Sequence, residues 1–125
     1  MSNEELEQLR QLNDKFLADA ERVANILKED LKTNREARFA DKFYIEDDTV
    51  CFEGEEHWSY GGYEHHIGYF PLSYLAMSDE ELANLVTERN KEYQKEKDEE
   101  KERRKQKERE RKLEQFKELK NELGL

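Results

Sequence analysis

All three histidines of the chain, His57, His65 and His66, lie in one segment that reads HWSYGGYEHH. Two histidines together with a thiolate or a carboxylate can hold a zinc ion, and Cys51 is close in sequence. The spacing matches no CxxC, HxxxH or HExxH motif, however, and a structural zinc site needs four ligands. A metal site made of His57, His66 and Cys51 is therefore kept as an alternative, and we expect the histidines to belong to a polar β-hairpin.

Other residues that can do chemistry give little support for catalysis. Cys51 lies among acidic residues, which raise the pKa of a thiol and suppress the reactive thiolate. Ser59 and Ser73 have no evident histidine and aspartate partners, and the glycines match neither GxGxxG nor GxxxxGK[ST]. We therefore expect neither enzyme activity nor a bound cofactor.

The hairpin itself is indicated by Gly61-Gly62, which stands between two aromatic runs. Glycine accepts positive φ at both positions of a tight turn, so the pair predicts a two-residue connection. A turn of that length fixes the register of the two strands. The predicted cross-strand pairs are Tyr60–Tyr63, Trp58–His65 and His57–His66.

Alternation of side chains along the strands then predicts two faces of a sheet, unless a bulge at Gly54 inverts the later half. The face expected to lie under a helix carries Phe43, Ile45, Val50, Phe52, Trp58, Tyr60, Tyr63, His65, Ile67 and Tyr69. The face expected to meet solvent carries Tyr44, Glu46, Thr49, Cys51, Glu53, Glu55, His57, Ser59, Glu64, His66 and Phe70.

Charge is distributed unevenly along the sequence. The net charge is −10, yet the 46 residues between Lys42 and Arg89 contain eleven acids and no lysine or arginine. Such a segment is either a solvated surface balanced by bases elsewhere, or a surface that binds a basic cleft with aromatic side chains as anchors. The partner-binding residues predicted on the second interpretation are Glu46, Asp47, Asp48, Glu53, Glu55, His57, Tyr60, Tyr63, Glu64 and His66.

The elements that must position these residues follow from periodicity. Apolar residues recur every three or four positions from Leu6 to Leu31, which predicts an amphipathic helix from about Asn3 to the Asn34–Phe39 region. Capping-box patterns mark two helix starts, one at Ser2 and one at Ser78. Short β-type runs lie between the helices, and together these elements predict an α+β fold. We expect an N-terminal amphipathic helix, a three-stranded antiparallel meander and a long charged C-terminal helix, with a core domain at 1–93 and a helical extension at 94–125.

The helical extension contains the segment RRKQKERERK, Arg103–Lys112, which has seven bases and two acids. It is either a charged spacer or a direct nucleic-acid-binding segment. Oppositely charged residues at four-residue spacing support a helix here. The predicted pairs are Glu99–Arg103, Glu100–Arg104 and Glu108–Lys112. A short apolar stripe follows from Leu113 to Leu123, and its pairing with the first helix, within or between chains, makes a structural homo-oligomer another alternative.

The same sequence predicts an intracellular, cytoplasmic protein with no membrane partner. It contains no run of 18 apolar residues, its first residues are acidic, and Cys51 has no second cysteine with which to form an internal disulfide.

Residues 52–75, FEGEEHWSYGGYEHHIGYFPLSYL, resemble a β-hairpin block found in small uncharacterised proteins of bacteriophages and mobile elements. The resemblance covers about a fifth of the chain. It implies an accessory protein that blocks a host enzyme or defence complex, so the expected partner is a host protein or protein–nucleic-acid complex with a basic surface. The residues that carry the resemblance are Trp58, Tyr60-Gly61-Gly62, Glu64, Phe70-Pro71 and Tyr74-Leu75.

Overall fold

The protein has the predicted α+β fold, with an N-terminal helix, a three-stranded antiparallel sheet and a long C-terminal helix. The computed structural model describes residues 1–124. The helices are α1 (Asn3–Leu27), α2 (Asn34–Arg38) and α3 (Asp79–Glu122), and the strands are β1 (Lys42–Glu46), β2 (Thr49–His57) and β3 (Tyr63–Pro71). A short 3-10 helix, Leu72–Ala76, connects β3 to α3.

Both predicted helix starts are confirmed. The Ser2 hydroxyl accepts a hydrogen bond from the Glu5 N–H at 3.1 Å, and the Glu5 carboxylate accepts one from the Ser2 N–H. The Ser78 hydroxyl likewise accepts a hydrogen bond from the Glu81 N–H at 3.2 Å. These side chains satisfy N–H groups that have no carbonyl partner within the first helical turn.

Helix α1 ends at Leu27, so the prediction that it continues to the Asn34–Phe39 region was wrong. The Asn90 side chain of α3 accepts a hydrogen bond from the Leu31 N–H and donates one to the Glu29 carbonyl, both at 2.8 Å. These backbone groups therefore bond across to α3 instead of along α1. Since Asn90 is 59 residues away from Leu31 in sequence, no local pattern indicated this end.

A buried carboxylate holds the same turn in place. Asp30 is only 1% exposed, and its carboxylate accepts a hydrogen bond from the Lys32 N–H at 2.9 Å. The other carboxylate oxygen lies 3.1 Å from the Arg89 Nε. Burial of a charged group is costly unless it is paired and hydrogen-bonded, so the Asp30–Arg89 pair fixes the turn after α1 beside the third turn of α3.

The three strands pair in the order β1-β2-β3, but the register between β2 and β3 differs from the prediction. His57 lies opposite Tyr63 and His66 lies opposite Gly54, whereas the predicted turn paired His57 with His66. The register runs without interruption through Gly54, so there is no bulge at that position.

The hairpin loop gives the physical reason for the error. The Trp58 N–H donates to the Gly62 carbonyl at 2.8 Å, and the Gly61 N–H donates to the Trp58 carbonyl at 3.0 Å. Gly61 has a φ of 93°. It is therefore the left-handed residue that follows the turn in a three-residue hairpin loop. Residues 59–61 therefore form a longer connection than the predicted two-residue turn, and the rings of Trp58 and Tyr60 stack within the loop.

The changed register moves the β3 side chains to the opposite face of the sheet, because alternation has a period of two. Trp58 and Tyr60 belong to the loop, and the predicted facing of the β3 residues was wrong. The inner face, which packs on the helices, carries Val50, Phe52, Gly54, Glu56, Glu64, His66, Gly68 and Phe70. The outer face carries Tyr44, Cys51, Glu53, Glu55, His57, Tyr63, His65, Ile67 and Tyr69.

Two glycines on the inner face allow the helices and side chains to approach the sheet closely. A Cβ atom at Gly54 would lie 1.5 Å from the Phe39 carbonyl oxygen, just beyond α2. A Cβ atom at Gly68 would lie 2.3 Å from the ring of Phe52. Glycine inside a strand often marks such a close approach, and these two positions were a sequence signal for the inner face.

The core lies between the inner face, the second half of α1, α2 and the first turns of α3. Its largest fully buried apolar side chains are those of Phe52, Phe70, Leu27 and Leu82. The buried cluster consists of Ala20, Val23, Leu27, Ala37, Val50, Phe52, Phe70, Leu82 and Val86.

The chain divides into one compact unit at Met1–Asn90 and a second unit from Lys91 onward. The second unit belongs to α3, and two of the predicted ion pairs form along it: Arg104 Nη2 lies 2.7 Å from Glu100 Oε1, and Lys112 Nζ lies 3.6 Å from Glu108 Oε1. Within residues 1–124, no helix combines the length and the apolar character that a bilayer crossing requires.

Candidate partner-binding surface on the outer face of the sheet

The outer face is rich in aromatic side chains that solvent can reach. Tyr63 and Tyr69 are more than half exposed, and Tyr44 and Ile67 are each more than 40% exposed. Large apolar and aromatic groups cost free energy when water surrounds them, and tyrosine is enriched at protein interfaces because its ring is apolar and its hydroxyl is polar. This face therefore has the composition of an interface.

Acidic and histidine side chains lie among these aromatic groups. His57 Nε2 lies 3.3 Å from Glu55 Oε2, and His65 Nε2 lies 3.6 Å from Glu53 Oε2. Lys42 is opposite Glu53 in β1 and brings one base to the edge of the face. The surface thus offers carboxylates that can accept hydrogen bonds from basic side chains, next to aromatic rings that can hold the aliphatic parts of those side chains.

One part of β2 also has an unpaired edge. β1 pairs with β2 only as far as Lys42 opposite Glu53, so the edge of β2 from Gly54 to His57 has no strand on that side. An open depression of about 460 Å³ lies there. Its lining residues are Phe39, Asp41, Lys42, Glu53, Gly54, Glu55, His57 and His65. An exposed strand edge can accept an additional extended segment through backbone hydrogen bonds.

Cys51 lies on the outer face but is only 1% exposed, because Tyr44 and Tyr69 are its neighbours on the adjacent strands. Burial raises the pKa of the Cys51 thiol, and the Glu46 carboxylate 3.8 Å away raises it further. Burial likewise raises the pKa of Tyr44. A thiol in this state is a poor nucleophile and a poor metal ligand.

The inner face holds a separate charged cluster at the end of the hairpin. His66 is 6% exposed, its Nε2 lies 3.0 Å from Glu56 Oε1, and its ring stacks on Phe39. Arg35 of α2 places Nη2 at 3.2 Å from Glu56 Oε1 and at 3.0 Å from Glu64 Oε2. The hydrogen bond from His66 lowers the pKa of the Glu56 carboxyl, and Arg35 lowers it further.

This cluster is the one group of potential metal ligands that residues 1–124 bring together. The ligand atoms of Glu56, Glu64 and His66 lie within 4.8 Å of one another. The guanidinium of Arg35 already supplies a positive charge to both carboxylates, so the cluster acts as an ion-pair network that fixes the hairpin to α2. The alternative metal set of His57, His66 and Cys51 is not brought together, since His66 faces inward while His57 and Cys51 face outward.

The ten predicted partner-binding residues fall into separate regions. Glu53, Glu55, His57 and Tyr63 share the outer face, whereas Glu64 and His66 lie on the inner face. Glu46, Asp47 and Asp48 lie at the β1–β2 turn, and Tyr60 lies in the hairpin loop at the other end of β2. A strand rises about 3.3 Å per residue, so these two ends are on the order of 30 Å apart and do not form one cluster.

Sequence reasoning missed four outer-face residues, Tyr44, His65, Ile67 and Tyr69. Tyr44 was assigned to the correct face but was not included among the partner-binding residues. The other three were assigned to the covered face because of the wrong hairpin register. The inward glycine at Gly68 was the available signal, since its neighbours Ile67 and Tyr69 must then face outward.

The fold also brings basic side chains from other elements to the acidic segment 43–88, which contains no lysine or arginine of its own. Arg35 pairs with Glu56 and Glu64, and Arg22 Nη1 lies 2.7 Å from Asp79 Oδ1. The other acids of the segment lie at the β1–β2 turn, on the outer face, where they are Glu53 and Glu55, and in the first turns of α3. Neither a protein-family model nor a curated protein nor a solved structure matches this chain.

Proposed function

We propose that this protein is a non-enzymatic accessory protein that binds a basic surface of another protein through the outer face of its sheet. One observation carries the proposal: Tyr63, Tyr69 and Ile67 stay exposed on a sheet whose other face packs Val50, Phe52 and Phe70 into the core. Glu53 and Glu55 lie among them and attract a positively charged partner, which speeds association and makes it sensitive to salt.

The exposed edge of β2 indicates how a partner segment would lie on the sheet. An extended segment that continues the line of β1 would pair with the backbone of Glu55 and His57. Basic side chains on such a segment would lie next to Glu53 and Glu55, while Lys42 disfavours a base at the entrance. The best partner segment is therefore extended, and its basic side chains point toward the outer face.

The class of partner is a host complex that handles nucleic acid or acts in defence, and the protein inhibits or modulates that complex. Surfaces that bind nucleic-acid phosphates are basic, so carboxylates held on a rigid sheet can occupy them. The resemblance of residues 52–75 to hairpin blocks in phage and mobile-element proteins supports the same class of partner.

Charge reversal on the outer face tests the proposal. The double variant Glu53→Lys/Glu55→Lys should lose a partner that the unchanged protein retains from a host lysate, and its far-UV circular dichroism should be unchanged. The control variant Glu92→Lys/Glu96→Lys makes the same change of charge on exposed residues of α3 and should retain the partner.

Nuclease treatment of the lysate separates a protein partner from nucleic acid bound by the bases of Arg103–Lys112. A partner that survives nuclease and is lost only from the outer-face variant supports the proposal. Recovery of the same proteins with both variants would contradict it.

A further inference from the structure

The first strand of the sheet has one edge without a partner strand. Within residues 1–124, β1 stands at the end of the strand order and pairs with β2 alone. Ile45 of β1 is 51% exposed, whereas Val50, which lies opposite it on β2, is fully buried. An exposed edge strand of this kind is a template to which another extended chain can add.

The backbone groups of Phe43 and Ile45 point toward this open edge. In an antiparallel pair, the N–H and C=O groups of successive residues point alternately toward the partner strand and away from it. The turn between β1 and β2 has two residues, and the pair that closes such a turn, Glu46 and Thr49, is hydrogen-bonded. Alternation from Glu46 then turns the N–H and C=O groups of Phe43 and Ile45 away from β2.

The sequence of β1, KFYIE, is complementary to itself when two copies run antiparallel. If Tyr44 lies opposite Tyr44 of a second copy, Lys42 lies opposite Glu46 and Phe43 lies opposite Ile45. Opposite charges, and an aromatic ring beside a β-branched side chain, are favourable cross-strand pairs. By alternation, both charged pairs lie on the outer face of the sheet and both apolar pairs lie on the inner face.

This register is the one that uses the whole of β1. The open backbone groups of Phe43 and Ile45 must meet the same groups of the second copy, so the registers that allow bonding differ by steps of two residues. A step in either direction would pair only three residues of each strand and would separate Lys42 from Glu46.

The chain next to β1 limits the length of the pairing. The Asp41 N–H donates to the Glu53 carbonyl of the same chain at 2.9 Å, so it is not available to a second copy. Asp41 would also face Asp47 of the second copy, and like charges directly opposite each other are unfavourable. The pairing therefore ends with the five residues of β1.

We propose that two copies of the protein pair through their β1 strands, antiparallel and centred on Tyr44, to form one six-stranded sheet. The contact satisfies the open backbone groups of Phe43 and Ile45 and brings Phe43 of each copy against the exposed Ile45 of the other. It is a two-fold contact, so the Lys42–Glu46 pair forms twice. The contact uses the edge of β1 and leaves the outer face open, so it does not depend on the proposed function.

Charge variants of β1 test the pairing by sedimentation equilibrium over a range of protein concentrations. The unchanged protein should reach twice the mass of one chain. Lys42→Glu sets two acids opposite each other, and Glu46→Lys sets two bases opposite each other. Each should raise the dissociation constant by about tenfold or more, because two symmetric contacts change from attraction to repulsion.

Two rescue experiments distinguish a lost contact from a damaged fold. The double variant Lys42→Glu/Glu46→Lys exchanges the charges and should recover twice the chain mass. An equimolar mixture of the two single variants should also associate, because each acid then faces a base of the other copy. The controls Lys95→Glu and Glu96→Lys make the same changes of charge on exposed residues of α3 and should associate like the unchanged protein.

Amide hydrogen exchange tests the same contact without any substitution. The amides of Phe43 and Ile45 face solvent in a single chain and are hydrogen-bonded in the pair. Their exchange should therefore become slower as the protein concentration rises. The Tyr44 amide bonds to β2 in both states, so its exchange should change less.

Any of three results contradicts the proposal. A single-chain mass for the unchanged protein at every concentration means that the edge of β1 stays open. An unchanged dissociation constant for Lys42→Glu means that the copies associate through another surface. Exchange of the Phe43 and Ile45 amides that does not depend on concentration has the same meaning, and it decides the question if far-UV circular dichroism shows that a charge variant is unfolded.

Discussion

The inner face of the sheet packs phenylalanine and glycine against the helices, with an ion-pair cluster of Glu56, Glu64 and His66 at the hairpin end, whereas the outer face carries exposed tyrosine beside pairs of glutamate and histidine. Phe52 and Gly54 are buried, and the Cβ that Gly54 lacks would overlap a backbone atom. Tyr63 and Tyr69, which lie near opposite ends of β3 on the other face, remain more than half exposed. The same strands thus pack against the rest of the chain on one face and remain open to solvent on the other.

This difference separates the residues that make the fold from those that are available for binding. Inner-face side chains are set by shape, since packed interiors tolerate neither voids nor overlaps. The exposed outer-face side chains fill no space that the fold requires, so their chemistry can serve a partner. Substitutions on the two faces should therefore have very different effects on stability, and the following predictions test this, from the largest effect to the smallest.

Phe52→Ala should lower the free energy of unfolding by about 3–5 kcal/mol, which is typical when a buried phenylalanine leaves a cavity. Phe52 packs against Phe43 and Phe70, so its loss affects all three strands. Denaturant unfolding, followed by circular dichroism, measures the change. A loss below about 1 kcal/mol would contradict the distinction between the two faces.

Gly54→Ala should lower the free energy of unfolding by about 3 kcal/mol, the upper end of the usual cost of overpacking. The added methyl group would meet the Phe39 carbonyl oxygen, and backbone atoms move less readily than the end of a side chain. Gly62→Ala is the control, because the methyl group there would meet the Trp58 ring in the loop. Equal thermal unfolding temperatures for the two variants would argue against a tight contact between Gly54 and the segment after α2.

Glu56→Gln should make the unfolding free energy less dependent on pH. The pKa of the Glu56 carboxyl is lowered in the folded protein, and the hydrogen bond from His66 is the largest cause. A lowered pKa adds stability above the ordinary value of 4.5, and this stability is lost as the pH falls through the lowered value.

The difference between the unchanged protein and Glu56→Gln should therefore be greatest near neutral pH and should shrink below pH 4.5. Unfolding curves at several pH values measure it, with Glu55→Gln on the outer face as the control. A difference that stays constant from neutral to acidic pH would show that the charge of Glu56 does not stabilise the inner face.

Tyr63→Thr should change the unfolding free energy by no more than about 0.5 kcal/mol, as is usual for surface positions. Threonine keeps the preference for a strand, and Tyr63 is mostly exposed. The same variant should weaken retention of the partner by the outer face. A large loss of stability would mean that Tyr63 belongs to the fold and not to a binding surface.

Local signals in the sequence predicted much of the fold. The capping boxes at Ser2 and Ser78 are contained within four residues each, so their hydrogen bonds could be anticipated. The alternation of Val50 and Phe52 gave the inner face of β2 correctly. These features depend only on neighbours in sequence.

The features that were missed depend on distant residues. The end of α1 is fixed by Asn90, and the charge of Glu56 and Glu64 is balanced by Arg35 from another element. The hairpin register was ambiguous because a glycine with positive φ suits a two-residue turn and a longer loop equally well. Only packing at Gly68 distinguishes the two, and this is why half of the candidate site was assigned to the wrong face.

The position of Cys51 has a consequence for how the motion of the sheet can be measured. Its thiol is enclosed between Tyr44 and Tyr69, although the surface around it is open. An alkylating reagent reaches such a thiol when a neighbouring strand separates, and the raised pKa keeps the reaction slow until then. The rate of alkylation of the single cysteine therefore measures how often β1 or β3 opens, and the measurement needs no introduced label.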